Sequence, residues 1–124
     1  MEPIVPDDMA ASVPLSPGYA AGDFVFVSGQ IPRDPESGEI VGDDIERQTE
    51  RTIKNIAAVL EEAGLGLEDV VKTQVFLTDV DDFSGMNAAY REAFPEPYPA
   101  RSALEVGDLA ADILVEIEAI AYRE

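Results

Sequence analysis

Between Asp43 and Gly64 the hydrophobic period is helical, and this stretch constrains what the rest of the chain has to supply. Ile45, Thr49, Thr52, Ile56, Val59, Leu60 and Ala63 fall on one stripe, while Glu46, Arg47, Glu50, Arg51, Lys54 and Glu61 lie mostly off it. Both ends are marked. Asp43 with Glu46 three residues later resembles a capping box, and Gly64 can adopt the left-handed conformation that ends a helix. An amphipathic helix of this kind needs an apolar surface to cover, and the flanking sequence reads as strands.

Residues 1–22 contain four prolines and little periodicity, so an irregular or briefly extended lead-in is expected, becoming a strand near Tyr19–Gly22. Phe24-Val25-Phe26-Val27-Ser28-Gly29-Gln30-Ile31 is rich in aromatic and β-branched residues and predicts a strand. The turn chemistry of Pro32–Gly38 then leads to a short return strand around Glu39–Val41. After the helix, Val70–Leu77 alternates with Val71, Thr73, Val75 and Leu77 on one face, as a central strand would. Asp79, Asp81 and Asp82 precede a second helical pattern that buries Phe83, Met86, Tyr90 and Phe94, with Asp81 or Asp82 as N-cap. Pro95, Pro97 and Pro99 stop that helix ahead of an extended Arg101–Val106, and Ile113–Tyr122 forms the last strand.

The order predicts one α+β domain over residues 1–124, a mixed six-stranded sheet with two helices on one face. On the last strand Val115, Ile117, Ala119 and Ala121 face the helices, whereas Leu114, Glu116, Glu118, Ile120 and Tyr122 alternate to the far side. No third element remains to cover that side, so the missing layer is expected to be another subunit.

The residues that are missing narrow the chemistry. Without cysteine there is no thiolate nucleophile, disulfide or zinc-thiolate site, and without histidine there is no Ser-His-Asp triad or imidazole ligand. No phosphate-binding glycine loop occurs, so no nucleotide cofactor is expected, and catalysis has to use carboxylates, hydroxyls, amides, Arg or Lys. Asp and Glu outnumber Lys and Arg by 26 to 8, a net charge of −18. That field repels nucleic acid, and it suits a high-salt cytoplasm where screening makes self-repulsion tolerable. An acidic N-terminus and the lack of a long apolar run point to a cytoplasmic protein with no membrane partner.

Four motifs occur in order: FVFVSGQIP, a helix ending EEAGL, VVKTQVFLTD followed by DDFSGMNAAY, and PARSALEV with LVEIEAIA. Together they resemble the RidA/YjgF family over residues 20–122. The resemblance implies a chorismate-mutase-like fold, a homotrimer around a barrel-like core, and clefts between neighbouring subunits. It implies hydrolysis of reactive 2-imino and enamine acids, such as 2-aminoacrylate, to 2-keto acids and ammonia, without cofactor or metal, which protects pyridoxal-phosphate enzymes. By the same resemblance Arg101 holds the substrate carboxylate, Glu116 positions or activates water, Ser28 and Gly29 line the cleft, and Asn87 faces it. Two positions depart from the pattern: Leu15 stands where the family has a cleft tyrosine, and Ala103 where a Cys, Thr or Ser is common. Each assignment has a plainer alternative. Arg101 is otherwise an ion-pair residue, Glu116 a structural carboxylate, Asn87 a polar surface group, and Asp79, Asp81 and Asp82 a capping loop rather than a metal site. The competing functions are a keto- or imino-acid binding module, an endoribonuclease or translation inhibitor, and a chaperone-like role.

Overall fold

The structure is a computed structural model and describes residues 1–10 and 12–124. Its six strands are β1 (Glu2–Ile4), β2 (Gly18–Ala21), β3 (Phe24–Gln30), β4 (Val70–Leu77), β5 (Ala100–Glu105) and β6 (Val115–Tyr122). Helix α1 (Ile45–Glu62) connects β3 to β4, and α2 (Phe83–Ala93) connects β4 to β5. The spatial order is β1-β2-β3-β6-β4-β5. All neighbours run antiparallel except β4 and β5, whose parallel pairing requires the α2 crossover.

One face of this sheet is dry. Val25, Val27, Val75, Leu77, Val115, Ile117, Ala119 and Ala121 are buried beneath Ile53, Ile56, Val59 and Leu60 of α1 and Met86 and Tyr90 of α2. The alternate residues of the same strands point the other way, where no element among the described residues covers them. On that face Phe24, Phe26, Leu104 and Tyr122 stay 39–44% exposed, and Phe24 meets Tyr122 edge-on at 5.0 Å between ring centroids.

Several local expectations shift by a residue or an element. The sheet has six strands, but the short return strand expected at Glu39–Val41 is only an isolated bridge between Arg33 and Ile40. The remaining strand is β1, drawn from the lead-in and paired with β2 from Glu2↔Ala20 to Ile4↔Gly18. Ile4 explains it: its side chain is buried in the core cluster, which outweighs a Pro-rich sequence on an edge strand. The N-cap of α1 is Asp44 rather than Asp43, its carboxylate accepting from Arg47 N at 2.7 Å. Gly64, at φ 77°, ends the helix as expected, with Leu65 N donating to Leu60 O. In β4 an irregularity between Val70 and Lys72 buries Val70 and turns Val71 outward, opposite to strict alternation. Asp82 occupies the N-cap position of α2 without a capping bond; the carboxylate that caps this turn belongs to Asp79, on Asp81 N.

Two buried amides of α1 lie outside the expected apolar stripe and organise loops. Gln48 donates to Gly42 O and accepts from Leu114 N, while Asn55 donates to Ile31 O and Arg33 O. They fix the chain just after β3 and just before β6, the two strands that carry Gly29 and Glu116.

Candidate functional site

Arg101 lies on β5 opposite Thr73 of β4, so its side chain leaves the sheet on the helix side. There α2 presents a seat for it. The guanidinium carbon stands 4.9 Å from the centroid of the Tyr90 ring and 5.6 Å from that of Phe83, and Nη1 lies 3.8 Å from Met86 Sδ. Stacking of this kind holds a planar cation in one orientation while leaving its N–H edge free to bind. Tyr90 is itself locked, because its buried hydroxyl pairs with Thr73 Oγ1 at 2.7 Å. Burial pushes the Tyr90 phenol above its ordinary pKa, against the opposing effects of the Thr73 bond and the Arg101 charge. Among the described residues the one ion pair is Lys54 with Glu50, so Arg101 has no carboxylate partner in a chain with 26 of them.

The guanidinium opens on a cleft of about 290 Å³ lined by Asn87, Tyr90, Arg91, Tyr98, Pro99 and Arg101. Asn87 is thus beside Arg101, as its place in the sequence motif leads one to expect. Ala103 follows on the same face of β5 in an exposed position, on a strand that has a partner on one side only. Its outer backbone groups are left open for a ligand or another chain.

Ser28, Gly29 and Glu116 form a second group. The register between β3 and β6 slips between Val27 and Gln30, and the extra residue of this bulge takes Ser28 and Gly29 out of the ladder. The bulge is tied down from the other side, Ser28 N donating to Pro17 O at 2.9 Å and Ser28 Oγ to Ser16 O at 2.6 Å. A Cβ at position 29 would meet the end of the Glu116 side chain, so the glycine lets that carboxylate lie against the bulge without being displaced. Partial burial, with the Glu118 charge as the smaller cause, raises the Glu116 pKa from its ordinary value. Leu15, exposed, precedes the Ser16 that holds Ser28, whereas Tyr19 faces the bare side of the sheet opposite Phe26.

The two groups do not meet within one chain. Glu116 pairs with Phe76 and Arg101 with Thr73, positions of opposite parity in β4, so their side chains leave opposite faces of the sheet. Gly29 is three strand positions from Arg101 across the sheet, a separation of about 14 Å at the usual strand spacing. Of Asp79, Asp81 and Asp82 only the Asp79 carboxylate caps the turn, on Asp81 N, and Glu105 joins it by accepting from Val80 N at 2.7 Å. Among the described residues no cluster of acidic side chains is arranged to hold a metal ion. No helix there is long and apolar enough to cross a membrane.

The helical spacing of Phe83, Met86 and Tyr90 predicts three core residues; Met86 and Tyr90 are buried, but Phe83 is exposed at the start of α2. Missed from the sequence was that all three touch Arg101, and that Arg91 and Tyr98 share its cleft. The signal that could have shown it was the spacing of Phe83, Asn87, Tyr90 and Arg91, which at one helical turn or two places a mixed aromatic and polar stripe on one side of α2.

Comparison with known proteins agrees over nearly the whole chain. The family model described as endoribonuclease L-PSP matches residues 6–123. A RutC family protein of Pyrococcus abyssi is 57% identical over 111 residues, 90% of this chain and 87% of that protein. The 2-iminobutanoate/2-iminopropanoate deaminase of Salmonella typhimurium is 44% identical over 117 residues, covering 92% and 91%. The crystal structure of the YjgF gene product from E. coli superposes with a TM-score of 0.95 at 40% identity, covering 100% of both chains.

Proposed function

Since this chain belongs to the RidA/YjgF family, also described as endoribonuclease L-PSP, we propose that it hydrolyses 2-imino and enamine acids to 2-oxo acids and ammonia, in clefts between the copies of a homotrimer. The observation that carries this reading is Arg101, a half-buried guanidinium clamped on Tyr90 without an ion-pair partner, which is a receptor for an external carboxylate. Planar, bidentate donors suit that role, and hydrogen bonds to a charged group contribute about 1.5–3 kcal/mol each.

The separation of the two residue groups supports the assembly. β5 is an edge strand, and the opposite sheet face is apolar and uncovered, so a second copy seated against these surfaces can bring Gly29 and Glu116 to Arg101 and Asn87. With the carboxylate on Arg101, the Gly29 backbone N–H at the bulge and the outer backbone groups near Ala103 orient the rest of the acid, the Ser28 N–H being already given to Pro17 O. An enamine takes a proton from solvent at its β-carbon to give the iminium ion. Water then attacks the iminium carbon while the Glu116 carboxylate accepts one of its protons, leaving a neutral carbinolamine; the Glu116 carboxyl returns that proton to nitrogen, and as the C–N bond breaks and ammonia leaves, the hydroxyl proton passes to solvent and the keto C=O forms. A carboxyl with a raised pKa suits both directions of that transfer. Nothing in this sequence of steps asks for a cofactor. Ribonuclease action is disfavoured by the charge of −18.

The test is keto-acid release from an imine generated by an amino-acid oxidase or a serine/threonine dehydratase, with semicarbazide as competitor, in high potassium chloride. Acceleration by the wild-type protein that vanishes in Arg101→Ala and falls sharply in Glu116→Gln is the expected result. Keto-acid binding at Arg101 without acceleration would make the chain a binding member of the family, with Leu15 and Ala103 marking the difference.

A further inference from the structure

We propose that the acids this site prefers carry a second carboxylate, held by Arg91, so that its best substrates are 2-imino derivatives of dicarboxylic amino acids. The proposal rests on the reading of Arg101 given above. Arg91 follows Asn87 by one turn of α2, and both line the same cleft of about 290 Å³ as Arg101. Two of the eight cations of a chain with 26 acidic residues therefore share one small cleft, and neither forms an ion pair. Arg91 is exposed to solvent and Arg101 half-buried, and two cations lining one cleft favour an anion long enough to reach both.

The rest of the lining agrees. Arg101 is fixed against Tyr90, which leaves it to take the carboxylate next to the imine carbon. Beyond it, this chain's part of the cleft offers the Asn87 amide and the Arg91 guanidinium from α2 and Tyr98 with Pro99 from the segment that follows, polar and aromatic groups that suit a second polar end better than an alkyl tail. Position in the last turn of α2 lets Arg91 complement the helix dipole, but that role is met by any cation there and does not require the cleft. Local charge matters more in this molecule than in most. A dianion is repelled by the net charge of −18, and a pair of guanidiniums at the cleft offsets that repulsion locally.

Calorimetric titration of the full chain with 2-oxopentanoate and 2-oxopentanedioate, at fixed ionic strength, compares two acids that differ only in a terminal carboxylate. Wild type is expected to bind the diacid about tenfold more tightly, a preference that shrinks as potassium chloride is raised. Arg91→Ala brings the two affinities to parity, and Arg91→Lys restores part of the preference. Parity in the wild type, or a preference that survives Arg91→Ala, overturns this proposal while leaving the deaminase reading in place. Failure of the wild type to bind either acid, or binding indifferent to Arg101→Ala, overturns both.

Discussion

Strand β6 contributes to both faces of the sheet, and the two faces have opposite fates. Val115, Ile117, Ala119 and Ala121 are at most 3% exposed beneath the helices, while Glu116, Glu118, Ile120 and Tyr122 alternate with them on a side the chain leaves bare. One face is finished by covalently connected elements; the other, with Tyr19, Phe24, Phe26 and Leu104 also open, is a hydrophobic surface with carboxylates set into it. The candidate site residues sort in the same way, Arg101 to the helix side and Glu116 to the bare side. On our reading, the surface that seats a second copy and the residues that act together are therefore a single problem. An isolated chain has a complete core and, on our reading, half of each site.

Substitutions on the two faces should separate these roles. The largest effect is expected from Phe26→Asp. It places a new carboxylate on the bare face opposite Tyr19, on a strand that pairs with β6, whose Glu116 and Glu118 point the same way. Burying it against another copy leaves an unpaired charge beside like charges. Light scattering should show the wild type as a trimer and the variant as a folded monomer without deaminase activity; a variant that keeps the trimer mass would mean this face is not the interface. Next in size is Leu60→Ala on α1. Leu60 is wholly buried in the core of the chain itself, so the loss should be about 2–5 kcal/mol in urea unfolding, with the midpoint lowered and the denaturant slope kept. A loss well below that range would mean the helix-covered face is less tightly packed than its burial indicates.

How far the sequence showed these two faces depends on what each rests on. Alternation in β6 and the stripe on α1 are properties of neighbouring residues, so the helix-covered core and the uncovered side were both legible in the sequence. Strand β1 was not, because its pairing depends on Ile4 finding a core made by residues far along the chain. The bulge at Ser28–Gly29 and the slip at Val70–Lys72 were hidden for the same reason: each is a mismatch between two strands, and one strand read alone shows only its own period. At the site, the motifs indicated Arg101, Asn87, Gly29 and Glu116, but not that Tyr90 and Met86 serve both the core and the arginine. A buried aromatic at helical spacing looks identical whether or not a cation rests on it.

That double role gives a smaller prediction at the boundary between the faces. Thr73→Val keeps the shape of a fully buried side chain and removes the one hydrogen bond made by the Tyr90 hydroxyl. Leaving that phenol unpaired should cost about 1–3 kcal/mol of stability. If Tyr90 orients the guanidinium, binding of a keto acid at Arg101 weakens as well, whereas a purely structural Tyr90 would leave the affinity unchanged. Tyr90→Phe in the Thr73→Val background removes the unpaired hydroxyl and should recover part of the stability.

The smallest effect on stability, and the most informative sign, belongs to Glu116→Gln. Burial and the neighbouring Glu118 raise the folded-state pKa of Glu116 above its unfolded value, so the folded chain binds this proton more tightly than the unfolded chain does. The stabilisation linked to that proton is fully present below the unfolded pKa and is lost as the pH rises through the folded one. Above that window the native chain carries a partly desolvated charge, and Gln, which has no proton to lose, removes the burden. Glu116→Gln should accordingly melt at the same or a higher temperature than wild type at neutral pH, with its advantage vanishing toward acid, while deaminase turnover falls. A Gln variant that is less stable at neutral pH would show that the ionised carboxylate is holding the bare face together, and would move Glu116 from the chemistry to the interface.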